Sequence, residues 1–566
     1  MSSLMGSLYV GTSGLQTSQN ALNTTSHNMA NAGTPGYVRQ IVMQSARPYN
    51  TISIAGSAIA RQQLGLGVLY AEAKTQRDVF LDKSFRKESG RSAFYEISTS
   101  TLEEVEDLLQ ELDGEAFEKT LNNLWKAVQD LANEPEKAAN QSVFVQRCFE
   151  FVTRAISVYD GFAEYQNNIN QNIKTDIERI NEIGKRITDL NVQIQRIEAG
   201  KVERANDQRD IRDRLIDELA SYADISYQYD VYGNVTIKLE GNDFVKHDSY
   251  NEISLFADPI TGFYTPYWRT LATTYYDMFG DEQIDIKGAA VFNLGQTISA
   301  DMNTDIGMVK SKLLARGTHR ATYEDIQRSD PNRHDPSHPD FDPTLTPEDR
   351  IHYDLHISQS VIMNMQAQFD QLINKVVVGI NDILRDAAIK AENDAVAAGK
   401  TKDDSAYMKD AYGEYMQIFN LISPDQPFTV SNIIINGDLR QAPTLLGFQF
   451  EDGQYDNETV TKLKELFENK EHTLNPNVQT KVNLAGYYNA MVAQVANSAS
   501  VSREILNNQK ITVDEVADAR EQVIGVSTDE ELSNMIMFQN AFNASSRYIN
   551  VVSEMLEHIV TRLGNG

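Results

Sequence analysis

Both ends of the chain carry a seven-residue repeat, and no other feature restricts the possible folds as strongly. Near the N-terminus Leu8, Leu15, Leu22 and Met29 recur at every seventh position, while the companion positions Leu4, Gly11, Ser18, Thr25 and Ala32 are mostly small. Near the C-terminus Met535, Phe538, Phe542, Ser545, Ile549, Val552, Leu556, Ile559 and Leu563 keep alternating 3,4 spacing, with Ser545 the only polar member. A helix with such a stripe needs another helix to cover it. Pairing the two termini covers both stripes, and each large apolar side chain so buried contributes ~1.5–3 kcal/mol. A lone helix pair is still marginal, because nucleation is costly and one face stays wet. Residues 1–60 and 525–566 are therefore expected to be poorly ordered in the free chain and to fold on assembly.

The first segment is unusual in a second way. From Met1 to Val38 there is no Lys, Arg, Asp or Glu, although the remainder of the chain is heavily charged. The flanks of the stripe (Thr17, Gln19, Asn20, Asn23, Thr24, Asn28) are polar but neutral, which suits a helix surrounded by protein. The helix ends legibly. Gly33 can take the left-handed position after the last turn, Pro35 cannot continue the helix, and Pro35-Gly36 suits the centre of a type II turn. Extended chain is expected from Tyr37 to Met43.

Further along, helices are expected at about 72–112, 116–133 and 138–199. In the last of these Ile169, Ile173, Asp176, Ile180, Ile183, Ile187, Leu190, Ile194 and Ile197 form a 4,3 seam that is apolar except at Asp176. Gly200 ends that helix, and Arg204–Ser221 returns as an antiparallel partner. From Ala223 to about Ile298 the texture is alternating and Tyr/Val-rich, with a Tyr-Gly-Asn hairpin turn. Helical pattern resumes at 302–318, 355–398, 484–508, 514–520 and 529–563. The expected fold is mainly α with β-rich insertions: long coiled-coil-like helices, N- and C-terminal helices paired, and inserted β domain(s). Four parts follow: a terminal helical domain (1–62 and 522–566), a helical bundle (63–222, 301–400 and 481–521), a β-rich insert (223–300) and a mixed insertion (401–480).

Composition excludes several classes. A formal charge of -29 with pI about 4.7 argues against nucleic acid or an anionic membrane as partner. One cysteine, Cys148, rules out an intrachain disulfide and any multi-Cys metal site. No apolar run reaches the ~18–20 residues of a membrane span, and the N-terminus has no basic region before a continuous apolar stretch, so no cleaved signal peptide is expected. By those rules alone the chain would be cytosolic. There is no phosphate-binding loop, no His-Glu-x-x-His and no Gly-x-Ser-x-Gly. A loop with five prolines between Pro331 and Pro347 holds Asp330, His334, Asp335, His338, Asp340 and Asp342. These types can hold a cation, yet the spacing is irregular, so a solvated surface loop is expected, dispensable for assembly. Neither it nor His27 reads as catalytic, and no cofactor is expected.

The stretch "ALNTTSHNMANAGTPGYVRQ" (Ala21–Gln40) resembles the N-terminal signature of the flagellar axial proteins: the rod, hook and hook-associated subunits. Their usual form is Ser-x-Asn-Ile-Ala-Asn followed by Asn-Thr-x-Gly-Tyr; here His27 and Gly33 each replace an Asn. "GVSTDEELSNMIMFQNAFNASSRYINVVSEMLEHIV" (Gly525–Val560) resembles the family's C-terminal helix with its Gln-x-Ala-Tyr/Phe-x-Ala core. "TPGYVRQ" and "GVSTDEE" look like its hook-associated members rather than hook or rod, and "LWKAVQDLANEPEKAANQSVFVQRC" and "ANDQRDIRDRLIDELA" are similar to the helical domain of those members. The resemblance implies a non-enzymatic structural subunit at the junction of hook and filament. Its implied partners are hook protein, the filament-side hook-associated protein, further copies of itself in a ring, and a cytosolic export chaperone on the C-terminal helix. It also implies export through the flagellar channel, which displaces the cytosolic reading. The implied assembly interface is Leu8, Leu15, Leu22, Asn28, Met29, Asn31, Pro35, Gly36 and Tyr37 with Met535, Phe538, Phe542, Ile549, Val552, Leu556, Ile559 and Leu563. Alternatives from other classes are a hook or rod subunit, a secreted surface-binding protein, or a hydrolase with its residues hidden between Thr401 and Thr480.

Overall fold

In the computed structural model the chain opens with helix α1 (Ser2–Ala30). Two antiparallel strand pairs follow: β1 (Gln40–Ala46) with β4 (Val68–Thr75), and between them in sequence β2 (Asn50–Ile54) with β3 (Arg61–Leu64). Helices α2 (Val79–Gln110), α3 (Phe117–Asn133), α4 (Ala138–Glu198) and α5 (Asn206–Tyr222) come next. A four-stranded antiparallel sheet is built in sequence order from β5 (Ile225–Tyr229), β6 (Val235–Leu239), β7 (Asn242–Lys246) and β8 (Ser249–Tyr250). Two hairpins follow, β9 (Ile253–Ala257) with β10 (Tyr264–Trp268) and β11 (Thr273–Tyr276) with β12 (Glu282–Asp285). Then come α6 (Met308–Arg316), α7 (Tyr323–Gln327), α8 (Val361–Ala397) and the short pair β13 (Phe419–Leu421) and β14 (Ile433–Ile435). The chain closes with α9 (Gly437–Gln441), α10 (Asn457–Glu468), α11 (Leu484–Ile524) and α12 (Thr528–Leu563). Helices take 61% of the chain, so the sheets are insertions in a helical framework, as the sequence pattern requires. The structure describes residues 2–54, 61–110, 117–200, 203–276, 282–339, 341–397, 399, 401, 405, 407–410, 413–450 and 453–563, with only the backbone described for 2–4, 50–54, 61–64, 70, 71, 110, 282, 283, 562 and 563.

Contacts divide the chain into two compact units. The first comprises residues 1–92, 179–252 and 509–566. There the 4,3 seam of α4 buries Ile180, Ile183, Ile187, Leu190 and Ile194 with Ile216 and Leu219 of α5 and Val235, Ile237, Leu239 and Val245 of the sheet. Gly184 is the close approach: a Cβ there would lie 2.5 Å from the Phe244 ring. Arg179 Nε–Glu218 Oε1 at 2.8 Å and Arg209 Nη2–Glu198 Oε2 at 2.7 Å tie α4 and α5 together as antiparallel partners. Arg212, fully buried, donates to Asn191 Oδ1 (3.0 Å) and the Gly233 carbonyl (2.8 Å), and burial pulls its guanidinium down to about 10.

The second unit comprises residues 93–178 and 253–508. Its core gathers Phe117 against Phe151, Phe369 and Tyr488, with ring centroids 4.9–5.5 Å apart. Helix α8 is buried almost all round from Ile362 to Ile373, so it is the central rod of this unit. The one polar seam position, Asp176, is neutralised by Lys312 Nζ at 2.6 Å.

Several boundaries differ from the sequence pattern for identifiable reasons. The segment from Glu72 to Thr75, expected as helix, is strand, because its backbone pairs with Gln40–Met43. Helix α2 begins only at Val79, where the Asp78 carboxylate accepts the Phe80 and Leu81 amides. The helices expected at 484–508 and 514–520 are one, α11. Gly307, at φ +94°, delays α6 to Met308. Gly33 is not among the glycines with positive φ; Gly36 is, at +78°, and the Tyr37 amide donates to the Thr34 carbonyl at 3.1 Å, closing the turn around Pro35-Gly36.

The proline-rich loop is more tightly stitched than a solvated loop. His334 is buried with Nε2 2.9 Å from the Arg328 carbonyl, and Arg333 Nη2 meets Asp342 Oδ2 at 2.6 Å. Asp335 and Asp342 accept from Ser337 and Thr344, so their oxygens face the loop itself, and Asp340 lies outside the described residues. Among the described residues no three His, Cys, Asp or Glu side chains gather as metal ligands. Replacing 331–347 with a short Gly/Ser linker is expected to leave filaments on cells while costing the second unit ~1–2 kcal/mol in urea unfolding, the value of two or three lost hydrogen bonds.

Candidate assembly interface

Helices α1 and α12 pack antiparallel, with Gly11 opposite Ile549 and Gly14 opposite Ser545. A Cβ on Gly11 would lie 2.7 Å from Ile549 Cγ1, and one on Gly14 2.8 Å from Ser545 Oγ. The contact is therefore made by small residues. Gly6, Gly11, Ser13, Thr17, Ser18, Ala21, Thr25 and Asn28 are buried on α1, whereas Leu8, Leu15, Leu22 and Met29 are half-buried along its edge. On α12 only Val552 of the seam is buried; Met535, Phe538, Phe542, Ile549, Leu556 and Ile559 are half-buried, and the side chain of Leu563 lies outside the described residues.

The turn after α1 is held from inside. Asn28, 1% exposed, accepts from Tyr37 Oη (2.7 Å) and the Gln40 amide (3.1 Å) and donates to the Gln40 carbonyl (2.9 Å). That requirement explains an amide rather than an apolar side chain in the last turn. Asn31 donates to the His27 carbonyl at 3.0 Å, and the His27 and Tyr37 rings meet edge-on at 5.5 Å. Pro35 and Gly36 are exposed on the rim of a recess of about 210 Å³ shared with Asp207, Asp210 and Arg214 of α5. Asp210 Oδ2 accepts the Val38 amide at 3.2 Å while its other oxygen has no hydrogen-bond partner among the described residues, and burial pushes the carboxyl up to about 7. Burial, then the nearby Asp210 and Asp207, raises the Tyr37 phenol as well. Arg39, the first charged residue, reaches Glu531 Oε1 at 2.8 Å and Glu530 Oε2 at 2.7 Å on the first turn of α12.

Gly67 is fixed by the same packing. At φ +83° its Cβ would sit 2.2 Å from Ser13 Oγ and 3.1 Å from Val10 Cα, where the Val68 amide donates to Ser13 Oγ at 3.2 Å. Gly67→Ala is expected to cost ~1–3 kcal/mol and to raise amide exchange at Val68, because an L side chain is strained there and displaces the strand pair from α1.

Of the implied interface residues, Leu8, Leu15, Leu22 and Met29 lie half-buried on α1, Asn28, Asn31 and Tyr37 belong to the turn that follows it, and Pro35 and Gly36 are at the surface. The seam pattern alone does not single out a second apolar set: Met5 and Tyr9 on α1 and Leu532, Ile536, Met537, Tyr548, Val551, Met555 and Val560 on α12, all exposed. The signal for them was present, since α12 is apolar well beyond one seam.

An uncharged helix closed by an asparagine-clamped turn and paired at small residues with the last helix is the part of the fold on which two flagellar family models fall. Residues 8–37 match the family model of flagella basal body rod proteins, 523–562 that of the C-terminal region of flagellar basal body rod FlgEFG proteins, and 102–274 that of the flagellar hook-associated protein FlgK helical domain. The chain is similar to flagellar hook-associated protein 1 over nearly its whole length. It is 24% identical to flagellar hook-associated protein 1 of Bacillus subtilis over 98% of this chain and 97% of that one. It is 20% identical to the Escherichia coli protein of the same name over 97% and 98%. The fold is similar to the solved flagellar hook junction protein of Burkholderia pseudomallei, with a TM-score of 0.50 at 10% identity, covering 78% of this chain and all of that one.

Proposed function

We propose that this chain is the structural subunit that joins hook to filament in the bacterial flagellum, exported through the flagellar channel. The observation that carries the reading is the α1–α12 pair: closely packed at its small residues, yet leaving apolar side chains half-buried or exposed along both helices. Exposed apolar surface on that scale marks an interaction site. Neighbouring copies, hook protein and the filament-side hook-associated protein are the partners that would cover it, with the implied interface residues as contacts. An export chaperone would cover α12 beforehand. In this reading residues 1–62 and 522–566 form the inner tube. The chain works without a cofactor and without catalysis. A strain lacking it should carry hooks without filaments and release filament protein into the medium; filaments on such cells would overturn the reading.

The same exposure predicts the behaviour of the free chain. In dilute monomer the amides of α1 and α12 are expected to exchange far faster than those of α4 and α8, and to become protected on assembly. Strong protection of both terminal helices in the monomer would count against folding on assembly.

A further inference from the structure

We propose that Arg39 and Glu531 form the register pin of the terminal helix pair. The seam itself cannot fix the register. On α1 the small positions repeat every seven residues, as Ser7, Gly14, Ala21 and Asn28 and as Gly11, Ser18 and Thr25, and the Leu edge repeats in step. On α12 the seam repeats every seven as well, so Phe538, Ser545 and Val552 are equivalent places for Gly14. A slip of one heptad, about 10 Å of axial travel, therefore exchanges one small-on-large contact for another. Helix α1 has no charged residue to oppose it.

What the slip would break is at the end of the pair. Arg39 is held by its backbone, its amide donating to the Ile524 carbonyl (2.8 Å) and its carbonyl accepting the Gln76 amide (3.0 Å). From that anchor its guanidinium reaches Glu531, 2% exposed, whose carboxylate meets no other cation among the described residues. Only Gly525, Val526 and Ser527 separate α11 from α12, so a slip must unwind the first turns of α12, and Glu531 lies in those turns. Unwinding would part the buried Glu531 carboxylate from the half-buried Arg39 guanidinium. A buried polar pair at one point of a repetitive apolar seam is the device by which helix pairs specify register. Glu530, 62% exposed, shares Arg39 but is solvated and contributes little to the choice.

Cysteine pairs report the register directly. The Cβ position of Gly14 lies 3.7 Å from Ser545 Cβ, within disulfide range. In the full-length chain oxidised with diamide, Gly14→Cys/Ser545→Cys is expected to cross-link, while Gly14→Cys/Phe538→Cys and Gly14→Cys/Val552→Cys do not. The native thiol, Cys148, is fully buried and stays out of the reaction. Adding Arg39→Met or Glu531→Gln should raise at least one slipped product about tenfold at the expense of the native one, with α-helical circular dichroism retained. Glu530→Gln should change nothing, and Arg39→Lys should restore the native product. The proposal is overturned if the native cross-link remains the sole product in both Arg39→Met and Glu531→Gln. It is equally overturned if all cross-links vanish together, which would make the pair a folding requirement rather than a choice of register.

Discussion

Phe542→Asp combined with Leu556→Asp is expected to abolish filament attachment while leaving the main melting transition of the purified chain in place. Both side chains are half-buried on α12, on the stripe that faces α1 and its surroundings. Removing a packed Phe or Leu side chain costs ~2–5 kcal/mol in a core, and placing a carboxylate there adds a desolvation penalty. In the free chain much of that penalty is avoided, because the stripe is only partly covered and the carboxylates can turn to water. In an assembled ring every subunit repeats the contact, so the penalty recurs at each interface. The same stripe is the surface a chaperone would hold by helix-in-groove packing, so its binding should weaken in parallel. Calorimetry separates the two possibilities. Were α12 part of the chain's own core, the double substitution would lower the main transition by many degrees, and that result would sink the assembly reading of this helix.

How far the sequence reveals this arrangement depends on the length scale of the signal. Seams that run through several heptads were legible: α4 was expected at 138–199 and ends at Glu198, and the terminal helices pair. Each repeat adds independent testimony to the same period. Short segments were not. "VLYAEAKT" has the Ala, Glu and Lys of a helix, yet its backbone is paired with a strand more than 20 residues away, a tertiary fact that no local window contains. The helix end after Asn31 shows the same division. Pro35-Gly36 was readable as a turn because Gly36 alone tolerates φ +78° there, whereas Gly33 needed no special angle. Within the candidate interface the small companion positions Gly11, Ser18 and Thr25 were legible from the seven-residue repeat and are buried, whereas Gly14 and Ala21, outside that set, show their part only when the two backbones are seen to approach. The roles of Asn28 and Asp210 were likewise hidden, since each depends on a partner brought in by folding.

Two buried carboxyls should answer the same substitution in opposite ways. Asp210 in the first unit and Asp370 in the second are both pushed from 3.8 up to about 7, in each case chiefly by burial. For Asp210 the Asp207 charge adds to the rise while Arg77 and the Val38 amide oppose it; for Asp370 the Tyr323 and Val430 amides oppose it. A carboxyl with a raised folded value binds its proton more tightly in the folded state. Its contribution is therefore fully present below about pH 4 and is lost as the pH climbs through about 7, by up to about 4 kcal/mol for a rise of ~3 pH units. The hydrogen bonds then decide what Asn does. Asp210 uses one oxygen, on the Val38 amide, and leaves the other without a hydrogen-bond partner among the described residues. Asp210→Asn keeps the useful acceptor and removes the charge, so stability at pH 8 should rise by ~1–3 kcal/mol and the loss between pH 4 and 7 should flatten. Asp370 uses both oxygens, accepting from Tyr323 (2.9 Å) and Val430 (2.6 Å). In Asp370→Asn the amide nitrogen must face one of those N–H groups, so the second unit should lose ~2–4 kcal/mol at every pH. Urea unfolding of both variants between pH 4 and 8 reads the difference. A drop in stability for Asp210→Asn at pH 8 would show that its carboxylate is held ionised by a partner, contrary to the geometry of the turn.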